Sequence, residues 1–160
     1  MKPWSEYYVI QNSTLGSLAL WTFAKEFYEN AHKERGAPLP LTMIVLPMVF
    51  HKDTVSSIFG RVFEGGLYRA VGDDRTISAG LQQRMEAMAD QTFKALNLAF
   101  AAGLLKYDSQ MTYVIPVRIS EASQVNIGGT KEIMSAARRL GYWFSTISME
   151  QISILLKVRF

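Results

Sequence analysis

The sequence predicts a mainly α-helical single domain of 160 residues carrying one small β-hairpin, an α+β chain. Three observations predict it. Leu15, Leu18, Ala19, Phe23 and Phe27 recur at three- and four-residue steps, the spacing of one helix face. Phe93, Leu96, Asn97, Phe100 and Leu104 repeat that spacing. Two short apolar segments then flank Asp108-Ser109-Gln110, the pattern of two strands and a turn.

Taken in order, Asn12-Ser13-Thr14 offers capping side chains for a first helix running to about His32. Leu20, Trp21 and Tyr28 lie off its main stripe, so burial is expected on more than one face. Residues 34–40 hold a glycine and two prolines and read as a loop. The apolar run 39–50 does not alternate, and Pro47 would remove a ladder bond from a central strand. It reads as a kinked helix closed by His51 and Lys52, cations that suit the negative end of the dipole. Asp53 and Thr54 then cap a helix over 55–63. Glycines and aspartates bracket a short segment at 67–71. A helix is predicted over 76–88, and Asp90 caps another over 91–102, with Gly103 placed to end it.

After the hairpin, Gly128-Gly129 interrupts the chain and Thr130 opens a helix to about Phe144. Ser148 and Gln151 have the spacing of a capping box for a last short helix that packs Ile152, Leu155 and Leu156. Helix, tight turn, helix and hairpin over about 76–118 is the order of a winged helix. A helical domain with an appended hairpin meets the same pattern. The acid at the hairpin tip would repel phosphates and suits a protein partner better than DNA.

Composition bounds the function. Hydrophobic residues make up 49% of the chain and charged ones only 19%, so the solvated surface is small for its size. A subunit that buries part of its outside against partners has this balance, as does a tightly packed monomer. The net charge of +3 comes from scattered Lys and Arg, with no run of like charges, so it permits nucleic-acid contact without arguing for it. Cysteine is absent, which removes disulfides, thiolate metal sites and a cysteine nucleophile. No apolar segment approaches the length of a membrane span, and the first residues do not read as a leader peptide, so a cytoplasmic protein is expected.

No catalytic constellation emerges. His32 and His51 fall at predicted helix ends, away from any acid or serine at triad spacing. Neither a nucleotide-binding glycine loop nor a metalloprotease motif occurs, and Gly128-Gly129-Thr130-Lys131-Glu132 lacks the residue order of a phosphate loop. Asp73-Asp74 lacks a neighbouring third carboxylate for a metal. Lys131, Arg138, Arg139 and Lys157 are the candidate nucleic-acid contacts, although Arg138 and Arg139 point about 100° apart on a helix. Solvated helix charges are the simpler explanation of them.

Asn12 and five segments after it carry a resemblance. Asn12, Gly36-Ala37-Pro38-Leu39-Pro40-Leu41 and Val45-Leu46-Pro47-Met48-Val49-Phe50-His51-Lys52-Asp53-Thr54 stand in one order. They are followed by Phe93 to Leu105, by Leu140-Gly141-Tyr142-Trp143-Phe144, and by Met149 to the closing Val158-Arg159-Phe160. Together they resemble the middle components of three-component ABC systems, bacterial anti-phage and anti-plasmid defences of the Lamassu type. Tyr142, Lys157 and Phe160 depart from that pattern, standing where Arg, Gly and Pro are usual. The resemblance implies a non-enzymatic adaptor subunit without cofactor or metal. Its expected partners are an ABC ATPase of the chromosome-maintenance (SMC) and Rad50 kind and a separate effector, often a nuclease, with DNA reached through the complex. Leu46, Pro47, His51 and Lys52, with Trp143, Phe144, Val158 and Arg159, are then expected either to build the core or to dock a partner. The competing reading is a winged-helix regulator that binds DNA through the helix over 91–102.

Overall fold

A computed structural model describes residues 5–117 and 130–160. After a short α1 (Glu6–Ile10), helix α2 (Ser13–Asn30) runs through the middle of the molecule. Asn12 Oδ1 accepts from Leu15 N at 3.0 Å and so caps α2, as its sequence predicts. Leu15, Leu20, Trp21, Phe23, Ala24 and Phe27 are all buried, which surrounds α2 with core on more than one face. The largest packing partner of α2 is α9 (Lys131–Ser145), followed by α8 (Ala89–Ala101). Gly141 lets the first pair meet: a Cβ there would lie 2.5 Å from the Phe23 carbonyl oxygen.

The loop expected at 34–40 contains an edge strand, β1 (Ala37–Pro38). It pairs antiparallel with β3 (Tyr113–Pro116), Ala37 opposite Val114, and β3 pairs in turn with β2 (Leu105–Asp108). The sheet order is β1-β3-β2. Pro38, which has no N–H, is tolerated because β1 lies at the edge.

The apolar run expected to be one kinked helix is two short ones, α3 (Leu39–Thr42) and α4 (Val45–Val49). Pro40 and Pro47 each fall in a first turn, where a missing N–H costs nothing. His51 and Lys52 do not close a helix but open one: His51 is the N-cap of α5 (Lys52–Ile58), which places Asp53 and Thr54 inside it. The segment 67–71 belongs to α6 (Gly66–Asp73).

The single helix expected over 76–88 is broken into a 3₁₀ turn (Arg75–Ile77) and α7 (Leu81–Ala87). Asp90 sits in the first turn of α8, where its charge suits the dipole, and does not cap it. Gly103 ends α8 as predicted, with φ of 73°. Leu104 N donates to Ala99 O and Gly103 N to Phe100 O, which together form a Schellman motif.

Helix α9 spans nearly the predicted range, and α10 (Met149–Leu156) starts with both halves of the Ser148 and Gln151 capping box. Gly128-Gly129 lies outside the described residues. Among the described residues no helix is long and apolar enough to cross a membrane.

Candidate functional site

The buried stripe of α8 follows the expected spacing in part: Leu96 is buried and Phe100 and Leu104 pack against the core, but Phe93 and Asn97 lie outside. Thr92, Ala95, Leu96 and Ala99 face the core, while Phe93 is 49% exposed and Leu98 is also solvent-facing. Small side chains face inward because α8 packs closely on α2: a Cβ on Gly16 would lie 3.0 Å from the Ala95 Cβ. The outward stripe, at three- and four-residue steps, is Asp90, Phe93, Lys94, Asn97, Leu98 and Ala101. It carries one acid, one base and two large apolar side chains.

The hairpin continues directly from this helix, with Val117 N donating to Leu104 O at 2.9 Å. Tyr107, Met111 and Val117 are exposed on it. Its tip is built by Asp108, whose Oδ1 accepts from Gln110 N and Met111 N at 3.0 and 3.3 Å. That carboxylate is engaged in shaping the turn, so the acid expected to repel phosphates has a structural task.

Most residues expected at a partner interface lie inside. Leu46, Trp143, Phe144 and Val158 belong to the core, and Pro47 is buried in α4. Trp143 Nε1 donates to Phe63 O at 2.8 Å, and the Phe144 ring meets Phe23 edge-on at 5.9 Å. His51 Nδ1 lies 2.9 Å from Thr54 Oγ1, a contact local to α5. Lys52 and Arg159 are exposed, and each is fixed through its backbone: Lys52 N donates to Glu6 Oε1 and Arg159 N to Gln82 Oε1.

Helix α7 brings two of the expected segments together. Arg84 Nε donates to Pro47 O at 3.2 Å, and Gln82, two residues earlier, holds the backbone of Arg159 at 2.8 Å. Burial lowers the Arg84 pKa, opposed by the Glu6 charge. Neither Gln82 nor Arg84 belonged to a motif, and nothing local in the sequence marks them.

The basic candidates do not form one cluster of free cations. Arg139 donates to Arg61 O and Ser135 O and stacks over Phe63 at 4.8 Å, tying α9 to the α5–α6 connection. Its pKa is lowered, first by burial and then by the Arg138 charge. Arg138, Lys131 and Lys157 are exposed. Among the described residues no group of three His, Asp or Glu side chains is placed to hold a metal.

The family described as ABC-three component (ABC-3C) system Middle Component 3 matches residues 2–160, and the chain belongs to that family. No match is found among curated proteins or among solved structures.

Proposed function

We propose that this middle component is a non-catalytic adaptor. It docks an SMC- and Rad50-like ABC ATPase through the outward face of α8 and the hairpin, and links it to an effector such as a nuclease. Defence against phage or plasmid, in the cytoplasm, is the setting that the resemblance to Lamassu-type systems suggests.

One observation carries the docking face. α8 turns Phe93 and Leu98 to solvent while its small residues pack the core. Both are already partly covered, so burying what remains in an interface contributes on the order of 0.5–1.5 kcal/mol each. Aromatic anchors of this kind are typical of interface centres.

The succession of α7, α8 and the β2–β3 hairpin supports a winged-helix-like order over about 76–118, with β1 joining the sheet from outside that range. In that arrangement α8 is the helix that would enter a DNA groove. Its outward stripe offers only Lys94 as a cation, beside Asn97 and the two apolar side chains. That composition favours a protein surface over phosphates and base edges.

Co-expression of the tagged chain with the proteins encoded beside it, followed by native mass spectrometry, tests the proposal. A stable assembly containing a long coiled-coil ATPase is expected, and Phe93→Glu with Leu98→Glu should dissolve it. A lone monomer, or salt-dependent duplex binding by α8, would overturn it in favour of the DNA-binding regulator.

A further inference from the structure

Three side chains at four-residue steps on α9 hold the segment that joins α5 to α6. Ser135 Oγ donates to Phe59 O at 3.0 Å, Arg139 Nε to Arg61 O, and Trp143 Nε1 to Phe63 O at 2.8 Å. One face of a helix thereby grips alternate carbonyls of residues 59–63. Gly60, Val62 and Glu64, which alternate with the gripped residues, are exposed. Val62 is 62% exposed, an aliphatic side chain presented to solvent on a fixed backbone.

A groove of about 320 Å³ lies beside Val62. Gly65, Gly66, Arg69 and Ala70 also line it, together with the ion pair of Arg61 and Asp73 at 2.9 Å. A Cβ built on Gly65 would lie 3.5 Å from Val62 Cγ2 and 3.3 Å from Arg69 Cδ, so the valine and the arginine flank that glycine. Arg69 is exposed, and among the described residues it pairs with no carboxylate. The acid in the groove lining, Asp73, is already bonded to Arg61.

We infer that this groove docks an acidic segment of a second partner protein, one that carries Asp or Glu beside an aliphatic side chain. The carboxylate pairs with the Arg69 fork, and the aliphatic group packs on Val62. A nucleic-acid backbone fits less well, because it needs several free cations. Here Asp73 neutralises the other arginine and lines the same groove. The fixed backbone lowers the ordering cost of binding, which matters on so small a surface. α6 packs on α9 and α10, whereas α8 packs on α2 and α7, so the groove and the α8 face lie on different elements. An adaptor needs two such surfaces, and the inference rests on that reading: with the ATPase on α8, the groove takes the effector.

The test co-expresses the full chain with the proteins encoded beside it and follows the assembly by native mass spectrometry. Arg69→Glu and Val62→Asp should each keep the ATPase and weaken retention of the third protein by about tenfold or more, since like charges then meet across the contact. Arg69→Lys, which keeps charge without the fork, should keep part of that retention and serves as the readout if the reversals lose their fold. A third protein held equally by the native chain and all the variants would overturn the inference. So would loss of the ATPase in its place, or a native assembly of chain and ATPase with no third protein. A native chain that recovers as a lone monomer overturns the adaptor reading itself, whereas an assembly that ignores the substitutions overturns only the groove.

Discussion

The backbone of Phe23 in α2 and the Cα of Gly141 in α9 are in direct contact. A methyl group on Gly141 would sit 2.5 Å from the Phe23 carbonyl oxygen, 2.9 Å from Glu26 Cβ and 3.1 Å from Phe27 N. Two of those three neighbours are backbone atoms, which cannot swing aside as a side-chain tip can. Glycine in the Leu140–Phe144 motif therefore sets the distance between the two helices that share the most contact.

Gly141→Ala should separate α2 from α9 and cost about 1–3 kcal/mol, the usual range for overpacking a core. A urea melt of the variant should show a lower midpoint with an unchanged slope. An unchanged midpoint would mean that the helices have room to spare.

Lys157→Gly should stabilise the chain by about 0.5–1 kcal/mol. Lys157 ends α10 in the left-handed conformation, with φ of 56° and ψ of 46°. Glycine adopts it without the penalty of a Cβ. With lysine there, the helix end keeps its left-handed shape at some cost. Thermal unfolding of the two proteins side by side decides the sign.

The phase of α8 separates its faces. Phe93→Ser and Leu98→Ser should each change stability by no more than about 0.5 kcal/mol, as exposed positions do. Leu96→Ala, one turn of the same helix but fully inside, should cost about 2–5 kcal/mol. A large loss for Phe93→Ser would place that ring in the core after all.

Asp74 should lend stability that disappears in acid. Its carboxylate accepts from the Ser57 hydroxyl and from both the N–H and hydroxyl of Thr76. Those bonds, led by the one from Ser57, lower its pKa. A carboxylate with a lowered folded pKa stabilises the fold above its ordinary range, and that contribution fades as pH falls through the folded value. The midpoint gap between the native chain and Asp74→Asn should therefore be widest near neutrality and narrow on acidification. A gap independent of pH would show that the charged form has no special role.

Signals that need only a near neighbour were legible in the sequence. The Asn12 cap, the Ser148 and Gln151 box, the Gly103 stop and the turn at Asp108 each involve partners within a few residues, so residue type and spacing sufficed. The resemblance, spread over five ordered segments, also pointed to the family whose model matches residues 2–160.

Other features depended on groups far along the chain. Helix α8 has two apolar stripes, and periodicity alone favoured the one with larger residues. The close approach of α2 turned the buried face toward Ala95 and Ala99, keeping Leu96 inside and leaving Phe93 outside. Ala37 and Pro38 look like loop until Val114 and Tyr113 arrive to pair with them. Arg84 and Gln82 gain a role only once Pro47 and Arg159 come within reach of α7. By itself the sequence determined the helix ends at Asn12, Gly103 and Ser148, the hairpin and the family, because those caps and turns are local hydrogen-bond chemistry. The tertiary structure decided which apolar residues are core and which are surface, because burial is a property of packing partners and not of the residue itself.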